Sequence, residues 1–297
     1  RGKKVRQSDV KVAALDLGFL VKQPESFVKN SKSVDEIIKF HPDLIIVAGY
    51  GLILPKEILD SPPLGCINIH PSILPKYRGP SPVSTAILNG DSDTGVTLMM
   101  MDEGLDSGPI LDQKIVSIDQ SDRNETLTKK LFLIGSELLK DYLKNLKNNS
   151  KTPLVQDDLK ATYTSLVLKQ DGKLDFSRDA EFLERQLRAY DPWPGIYANF
   201  EDTILKILSA KVMQFSNKDL FRKSGLIEGS VILLDGIEEI GYFQSKKFYK
   251  ISKDSIGVVT RDGSVLELQT VQLPGRKVIT GQQFLLNHPK VLSSRLT

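Results

Sequence analysis

Residues 65–71 read Gly65-Cys66-Ile67-Asn68-Ile69-His70-Pro71. Five residues between a glycine and a proline, with β-branched Ile67 and Ile69 among them, have the length and composition of a strand. Side chains alternate faces along a strand, so Ile67 and Ile69 point one way and Cys66, Asn68 and His70 the other. Upstream, Asp43-Leu44-Ile45-Ile46-Val47-Ala48-Gly49-Tyr50 is an apolar run bounded by Pro42 and Gly49, predicted to be a strand buried on both faces. Before it, residues 8–17 read as a short helix stopped by Gly18. Ser33 and Glu36 have capping-box spacing ahead of Ile37, Ile38 and Phe40. Downstream, residues 84–88 form the core of a helix after the Arg78-Gly79-Pro80 turn, and residues 95–101 and 115–119 read as two more strands. Residues 124–146 carry Leu127, Leu131, Ile134, Leu138 and Leu139 at helical spacing. Alternating elements of this kind predict a doubly wound α/β domain.

Residues 148–153, Asn148-Asn149-Ser150-Lys151-Thr152-Pro153, are a polar break. A helix is predicted over about residues 180–189. From Ile204 on, short strand-like runs alternate with Gly and Asp turns, and Arg261-Asp262-Gly263-Ser264 sits where a hairpin would close. That second pattern predicts a small β-barrel or sandwich. The expected division is 1–150, 151–200 as a linker with a connecting helix, and 201–297 as the β unit.

A length of 297 residues is comfortable for two domains. No run approaches the 18 or so apolar residues of a membrane span, and the polar start does not read as a signal peptide. The lone cysteine, Cys66, has no intrachain disulfide partner, which fits a reducing compartment. A bacterial cytoplasm is expected, with an organelle left open. Residues 201–297 hold 14 Lys and Arg against 10 Asp and Glu, net +4, while residues 1–200 are net −1. That asymmetry fits an anionic partner such as RNA, and equally a solvated face.

Two polar residues on one face of a buried strand require a reason. Pro71 puts Asn68 and His70 at the strand's C-terminal end, the edge where open α/β sheets bind ligands. Asp106 follows the next strand in the glycine-bearing loop Asp102-Glu103-Gly104-Leu105-Asp106-Ser107-Gly108, within reach of the same crevice. An amide, an imidazole and a carboxylate suit acyl transfer. Asn68 and a protonated His70 would stabilise an oxyanion, each such donor being worth roughly 3–4 kcal/mol. Asp106 would orient His70, raise its pKa and relay protons. Cys66 shares that face, which invites a Cys-His-Asp hydrolase. Four strand residues span about 13 Å, too far for a nucleophile and its base, so Cys66 reads as a small buried hydrophobe. His41, His70 and His288 are scattered without ligand spacing, so no metal is expected. No nucleotide-binding glycine motif is present.

The stretch from Gly65 through Ser72-Ile73-Leu74-Pro75 to Gly79, with Leu105-Asp106-Ser107-Gly108, resembles the formyltransferase family that uses 10-formyltetrahydrofolate. The resemblance implies a Rossmann-like formyltransferase domain followed by a small OB-like β-barrel, with Asn68, His70 and Asp106 as the catalytic trio. It assigns folate contacts to Ser72, Ile73, Leu74 and Pro75, and to the pterin-lining Gly51, Leu52, Ile53, Leu54, Asp102, Glu103, Gly104 and Leu105. Three further stretches look like the branch whose acceptor is initiator methionyl-tRNA. Arg1-Gly2-Lys3-Lys4 resembles the end of a basic loop that probes the tRNA acceptor, with Arg1, Lys3 and Lys4 on tRNA. Residues 187–195, with Pro192-Trp193-Pro194, resemble the inter-domain segment, where Trp193 reads as a packed structural aromatic. Leu273-Pro274-Gly275-Arg276-Lys277 resembles the tRNA-gripping barrel, with Arg276 and Lys277 on phosphate or in a solvated turn. The expected partners are folate as co-substrate and initiator methionyl-tRNA, with no membrane and a monomeric protein.

A 10-formyltetrahydrofolate hydrolase, a sugar-amine formyltransferase and a non-catalytic RNA- or folate-binding fragment remain open. A glycinamide ribonucleotide formyltransferase would stop before such a barrel. Family members open with a strand–helix–strand unit ahead of the basic loop, so this chain is expected to be a fragment lacking it.

Overall fold

A computed structural model describes residues 7–27, 31–146, 152–213, 226–234, 242–243, 246–247, 255–261 and 263–297. The first helix, α1 (Asp9–Asp16), is capped by Ser8, whose Oγ accepts the Lys11 N–H at 3.3 Å; Gly18, at φ +74°, follows it. Helix α2 (Ser31–Lys39) begins two residues before Ser33. Ser33 therefore lies inside the helix, and the predicted capping box does not form at that position.

Four strands follow: β1 (Ile45–Ala48), β2 (Cys66–His70), β3 (Asp93–Met100) and β4 (Ile110–Ser117), in the spatial order β1-β2-β3-β4. β1 and β2 are parallel, joined through the short α3 (Lys56–Leu59); β2–β3 and β3–β4 are antiparallel. The predicted full burial of β1 does not hold, since Ile46 is 40% exposed. β1 is the edge of this sheet among the described residues, and an apolar run cannot distinguish an edge strand from a central one. The fourth strand starts at Ile110 rather than Ile115 because its ladder with β3 continues past a bulge at Leu98–Met99.

Helix α4 (Pro82–Asn89) carries Pro in its first turn and ends at Gly90 in the left-handed conformation. The long α5 (Asn124–Lys144) lies across the sheet. A Cβ on its Gly135 would stand 2.5 Å from Ile69 Cγ2 and 3.0 Å from Val96 Cγ2, so glycine sets how closely the helix approaches β2 and β3. Ile67, Ile69, Val96 and Leu98 form the core beneath it, with Phe132, Leu138 and Leu139 packed against them.

The chain then runs back along the first unit. Leu154 bridges Ile110 and Tyr163 bridges Arg78 before α6 (Ala180–Ala189). The second unit is antiparallel: β5 (Ile196–Phe200), β6 (Thr203–Met213), β7 (Val231–Leu233), β10 (Ile256–Val259) and β11 (Val265–Gln272) pair in the order β5-β6-β11-β10-β7. The short β8 (Tyr242–Phe243) and β9 (Lys246–Lys247) pair with each other, and β12 (Ile279–Thr280) with β11. The predicted hairpin closes between Val259 and Val265, with Thr260 N–H donating to the Ser264 carbonyl at 3.0 Å; Asp262 lies outside the described residues. The α/β unit and the antiparallel β unit, which also carries a helix over Gly281–Asn287, match the expected fold class. One hydrophobic core joins them: Val83, Ile87, Leu127 and Leu131 pack in the same cluster as Leu183, Leu187, Ile207, Leu268 and Phe284. Among the described residues no helix is long and apolar enough to cross a membrane.

Candidate active site

The alternation of β2 sends Ile67 and Ile69 under α5 and leaves Asn68 and His70 on the opposite face. β3 runs antiparallel to β2, with Ile67 opposite Met100. The chain therefore leaves β3 beside the start of β2, at the far end from His70. Loop 101–109 folds back to bring Asp106 to the pair. Two features permit that reversal. Asp106 adopts φ +50°, and a Cβ on Gly108 would sit 1.9 Å from the Met100 carbonyl oxygen.

The Asp106 carboxylate is held on two sides. Oδ1 accepts from Asn68 Nδ2 at 3.3 Å, and Oδ2 accepts from the Gly79 N–H at 2.8 Å. Oδ2 also faces His70 Nδ1 at 3.6 Å, which is a charge contact but too long for a hydrogen bond. The other ring nitrogen, Nε2, lies 3.0 Å from the Tyr77 carbonyl oxygen. A carbonyl only accepts, so Nε2 carries the proton, and Nδ1 is bare whenever the ring is neutral. His70 is 4% exposed. Burial pushes its pKa below the ordinary histidine value, and the Asp106 charge and the Tyr77 carbonyl oppose that push only in part. Asp106 does act upward, as the sequence suggested. The net direction is nevertheless down, because desolvation of a nearly enclosed ring outweighs one carboxylate at 3.6 Å.

The trio lines a cavity of about 790 Å³. Gly51, Leu52, Ile53, Leu54, Asp102, Glu103, Gly104 and Leu105 line it too. Ser72, Ile73, Leu74 and Pro75 are not on that wall, and the segment bonds its polar groups within its own surroundings. Ser72 Oγ donates to the Lys76 carbonyl at 2.6 Å, and Thr97 Oγ1 donates to the Ser72 carbonyl at 2.7 Å. The Leu74 N–H donates to Thr97 Oγ1, and Gln113 Nε2 to the Leu74 carbonyl. Leu74 itself is buried with Met99 and Ile110. The segment therefore lies just after His70 with these polar groups already paired.

Arg276 and Lys277 are exposed in the turn between β11 and β12. Arg1, Lys3 and Lys4 lie outside the described residues. Trp193 corrects an expectation: it is 60% exposed and lines the cavity with Pro192, Leu166 and Val167, instead of packing inward. Sequence reading also missed Asn124 and Thr128 on the cavity wall. Asn124 was legible only as a helix start, and it donates to Ser84 Oγ at 2.6 Å.

Residues 3–143 match the family described as formyl transferase, and residues 167–289 match the family described as formyl transferase, C-terminal domain. The chain belongs to the formyltransferase family. This formyltransferase is 37% identical over 276 residues to a methionyl-tRNA formyltransferase of Lysinibacillus sphaericus, an alignment covering 93% of this chain and 80% of the relative. A methionyl-tRNA formyltransferase of Roseiflexus castenholzii is 44% identical over 219 residues, covering 74% and 70%. Among solved structures, a sugar N-formyltransferase from a Shewanella species superposes with a TM-score of 0.55 at 27% identity, covering 66% of this chain and 78% of that one.

Cys66 stands apart from the formyltransferase's cavity. It is 1% exposed, with Sγ 3.8 Å from the carbonyls of Ile58 and Leu59. Burial, helped by the nearby Asp60, pushes its thiol pKa up, away from the thiolate a nucleophile needs. Among the described residues no three His, Cys, Asp or Glu side chains cluster as metal ligands would.

Proposed function

We propose that this formyltransferase moves the formyl group of 10-formyltetrahydrofolate onto the α-amino group of methionine carried by initiator tRNA. The observation that carries the reading is the Asp106 carboxylate, bonded to Asn68 and Gly79 and facing His70 inside the cavity. The names of the relatives support the acceptor. At about 790 Å³, the cavity lies in the size range of pockets for drug-sized ligands. Ile53, Leu54, Leu105 and Phe132 give it apolar walls, and the trio gives it a few convergent polar groups. That combination suits a flat heterocycle with a reactive centre. The loops at 51–54 and 102–105 and the segment 72–75 would hold the folate.

Bound 10-formyltetrahydrofolate supplies an electrophilic formyl carbon. An α-amine has a pKa near roughly 8, so a useful neutral fraction exists without a strong base. Asn68 spends one Nδ2 hydrogen on Asp106 and keeps the other for the formyl oxygen as charge builds there. One such donor contributes roughly 3–4 kcal/mol. His70 Nδ1 and Asp106 Oδ2 are two acceptors with a gap between them, suited to the N–H of the incoming amine. They take its proton as the new C–N bond forms. His70 then becomes cationic beside Asp106, and the proton passes to the departing nitrogen as the old C–N bond breaks.

In the same proposal the catalytic steps belong to residues 1–150, and the tRNA grip to 201–297 together with Arg1, Lys3 and Lys4. Arg276 and Lys277 would meet phosphate. The protein would act as a monomer in the cytoplasm. A second reading, transfer to the nitrogen of a sugar, rests on the likeness to the Shewanella sugar N-formyltransferase. The test uses the full-length protein with 10-formyltetrahydrofolate and three reaction mixes: methionyl-tRNA, a nucleotide-linked amino sugar, and no acceptor. Formylation of methionyl-tRNA alone is expected. Sugar formylation, or formate release without acceptor at a comparable rate, would overturn the assignment.

A further inference from the structure

Gln156 is 7% exposed, lies in the segment that runs back along the first unit, and contributes nothing to the cavity wall. Its side-chain amide is nevertheless fully committed around the Asp106 loop. Nε2 donates to the carbonyl of Asp106 at 2.9 Å and to that of Gly108 at 2.7 Å. Those two carbonyls lie on either side of Ser107, and the first belongs to Asp106 itself, which holds a left-handed conformation. Oε1 accepts from Arg78 Nε at 3.0 Å, which fixes which end of the amide faces the loop.

Arg78 is itself buried, at 2% exposure, and its guanidinium is pinned at both remaining nitrogens. One donates to Asp158 Oδ1 at 2.8 Å and the other to the Tyr163 hydroxyl at 3.3 Å. Its backbone is fixed too, with its N–H on the Thr162 carbonyl and its carbonyl receiving the Thr164 N–H, both at 2.8 Å. Arg78 sits between the two residues that hold the trio. Tyr77 presents its carbonyl to His70 Nε2, and Gly79 presents its N–H to Asp106 Oδ2. One connected set of bonds therefore sets the Asp106 backbone, the far side of the Asp106 carboxylate and the His70 ring.

We propose that Gln156 is a positioning residue for formyl transfer. Its amide, oriented by Arg78, pins the Asp106 loop so that the carboxylate stands against His70 and Asn68. The inference rests on the catalytic reading of Asp106 above. A misplacement of about 1 Å at a reacting group costs on the order of 10²-fold in rate, even when the altered residue touches no substrate. A residue that acts only through Asp106 should lose its effect once that carboxylate is gone.

The experiment measures kcat and KM for Gln156→Ala, Gln156→Glu and Asp106→Asn, and for Gln156→Ala combined with Asp106→Asn, in the full-length protein. Gln156→Glu keeps the volume and the Arg78 contact while removing both N–H donors, which guards against a variant that simply fails to fold. Tetrahydrofolate binding and Tm serve as the fold controls. The expected result is a kcat loss of about 10²-fold in both Gln156 variants, with KM for 10-formyltetrahydrofolate changed by less than about threefold. The combined variant should be no slower than Asp106→Asn alone. Losses that multiply in the combined variant, or a loss expressed in KM, overturn the role of Gln156 and leave the trio standing. Near-normal turnover in Asp106→Asn overturns the trio, and with it the reason for positioning.

Discussion

Oδ2 of Asp106 stands 3.6 Å from Nδ1 of His70, while the same oxygen accepts the Gly79 N–H at 2.8 Å. The carboxylate is tied to the backbone and to Asn68 rather than to the ring. The neutral imidazole thus keeps a bare nitrogen in the cavity, and the carboxylate keeps an unspent lone pair opposite it.

That arrangement fixes the sign of a titration. Burial dominates, so His70 should titrate below its ordinary value of about 6.5, read by NMR from its ring protons. The Asp106 charge works upward, so Asp106→Asn should move the midpoint lower still. Between the depressed folded value and the ordinary unfolded one, the unfolded chain binds more protons. The stability contribution from His70 is then full above about 6.5 and declines as pH falls through that window. Asp106→Asn should also lower kcat by about 10²–10⁴-fold with little change in folate KM. An upward shift in the variant would contradict the upward pull of the Asp106 charge, and a midpoint above about 6.5 in the unaltered protein would contradict the burial argument.

Cys66 should behave as an inert core side chain. A thiol reagent should count no free thiol in the native protein and one after denaturation, since the chain has a single cysteine. Cys66→Ala should keep turnover. Native labelling that abolishes activity would revive a cysteine mechanism.

Trp193 is the chain's only tryptophan and stands on the cavity wall at 60% exposure. Its emission should resemble that of a solvated indole, be quenched by iodide, and become protected on addition of tetrahydrofolate. Trp193→Ala should change stability by less than about 1 kcal/mol, as expected for a largely exposed side chain. Unaltered emission at saturating tetrahydrofolate would put the folate elsewhere.

Arg276 and Lys277 are exposed beside each other in one turn. If both meet tRNA phosphate, replacing them together by alanine should flatten the plot of log affinity against log salt by about two in slope, with binding weakened for any tRNA sequence. An unchanged slope would make the turn merely solvated.

Much of this architecture is legible in the primary structure because it is local. The Gly65–Pro71 boundaries delimit β2, and helical spacing finds α5. What escaped is set by partners far away in the chain. Whether β1 is an edge depends on what pairs beyond it. Which polar groups the 72–75 segment keeps unpaired depends on Thr97 and Gln113. A tryptophan between prolines ordinarily packs, yet Trp193 stands on a cavity wall built largely from other segments. Gln156 gave no signal at all: a single glutamine acquires its place only when it meets carbonyls about 50 residues upstream and a guanidinium 78 residues upstream.

The shared hydrophobic cluster between α4, α5 and α6 bears on how such a chain can be recombined. Leu166, Val167, Pro192 and Trp193 reach the cavity from beyond the first unit. A chimera that took its first 150 residues from one relative and the remainder from another would inherit a mismatched seam and a mismatched cavity wall together. Moving the crossover past β5 would keep Trp193 and the cavity wall native, but would still part Leu183 and Leu187 from Ile207, Leu268 and Phe284, so exchange should be tolerated only between relatives that share those core residues.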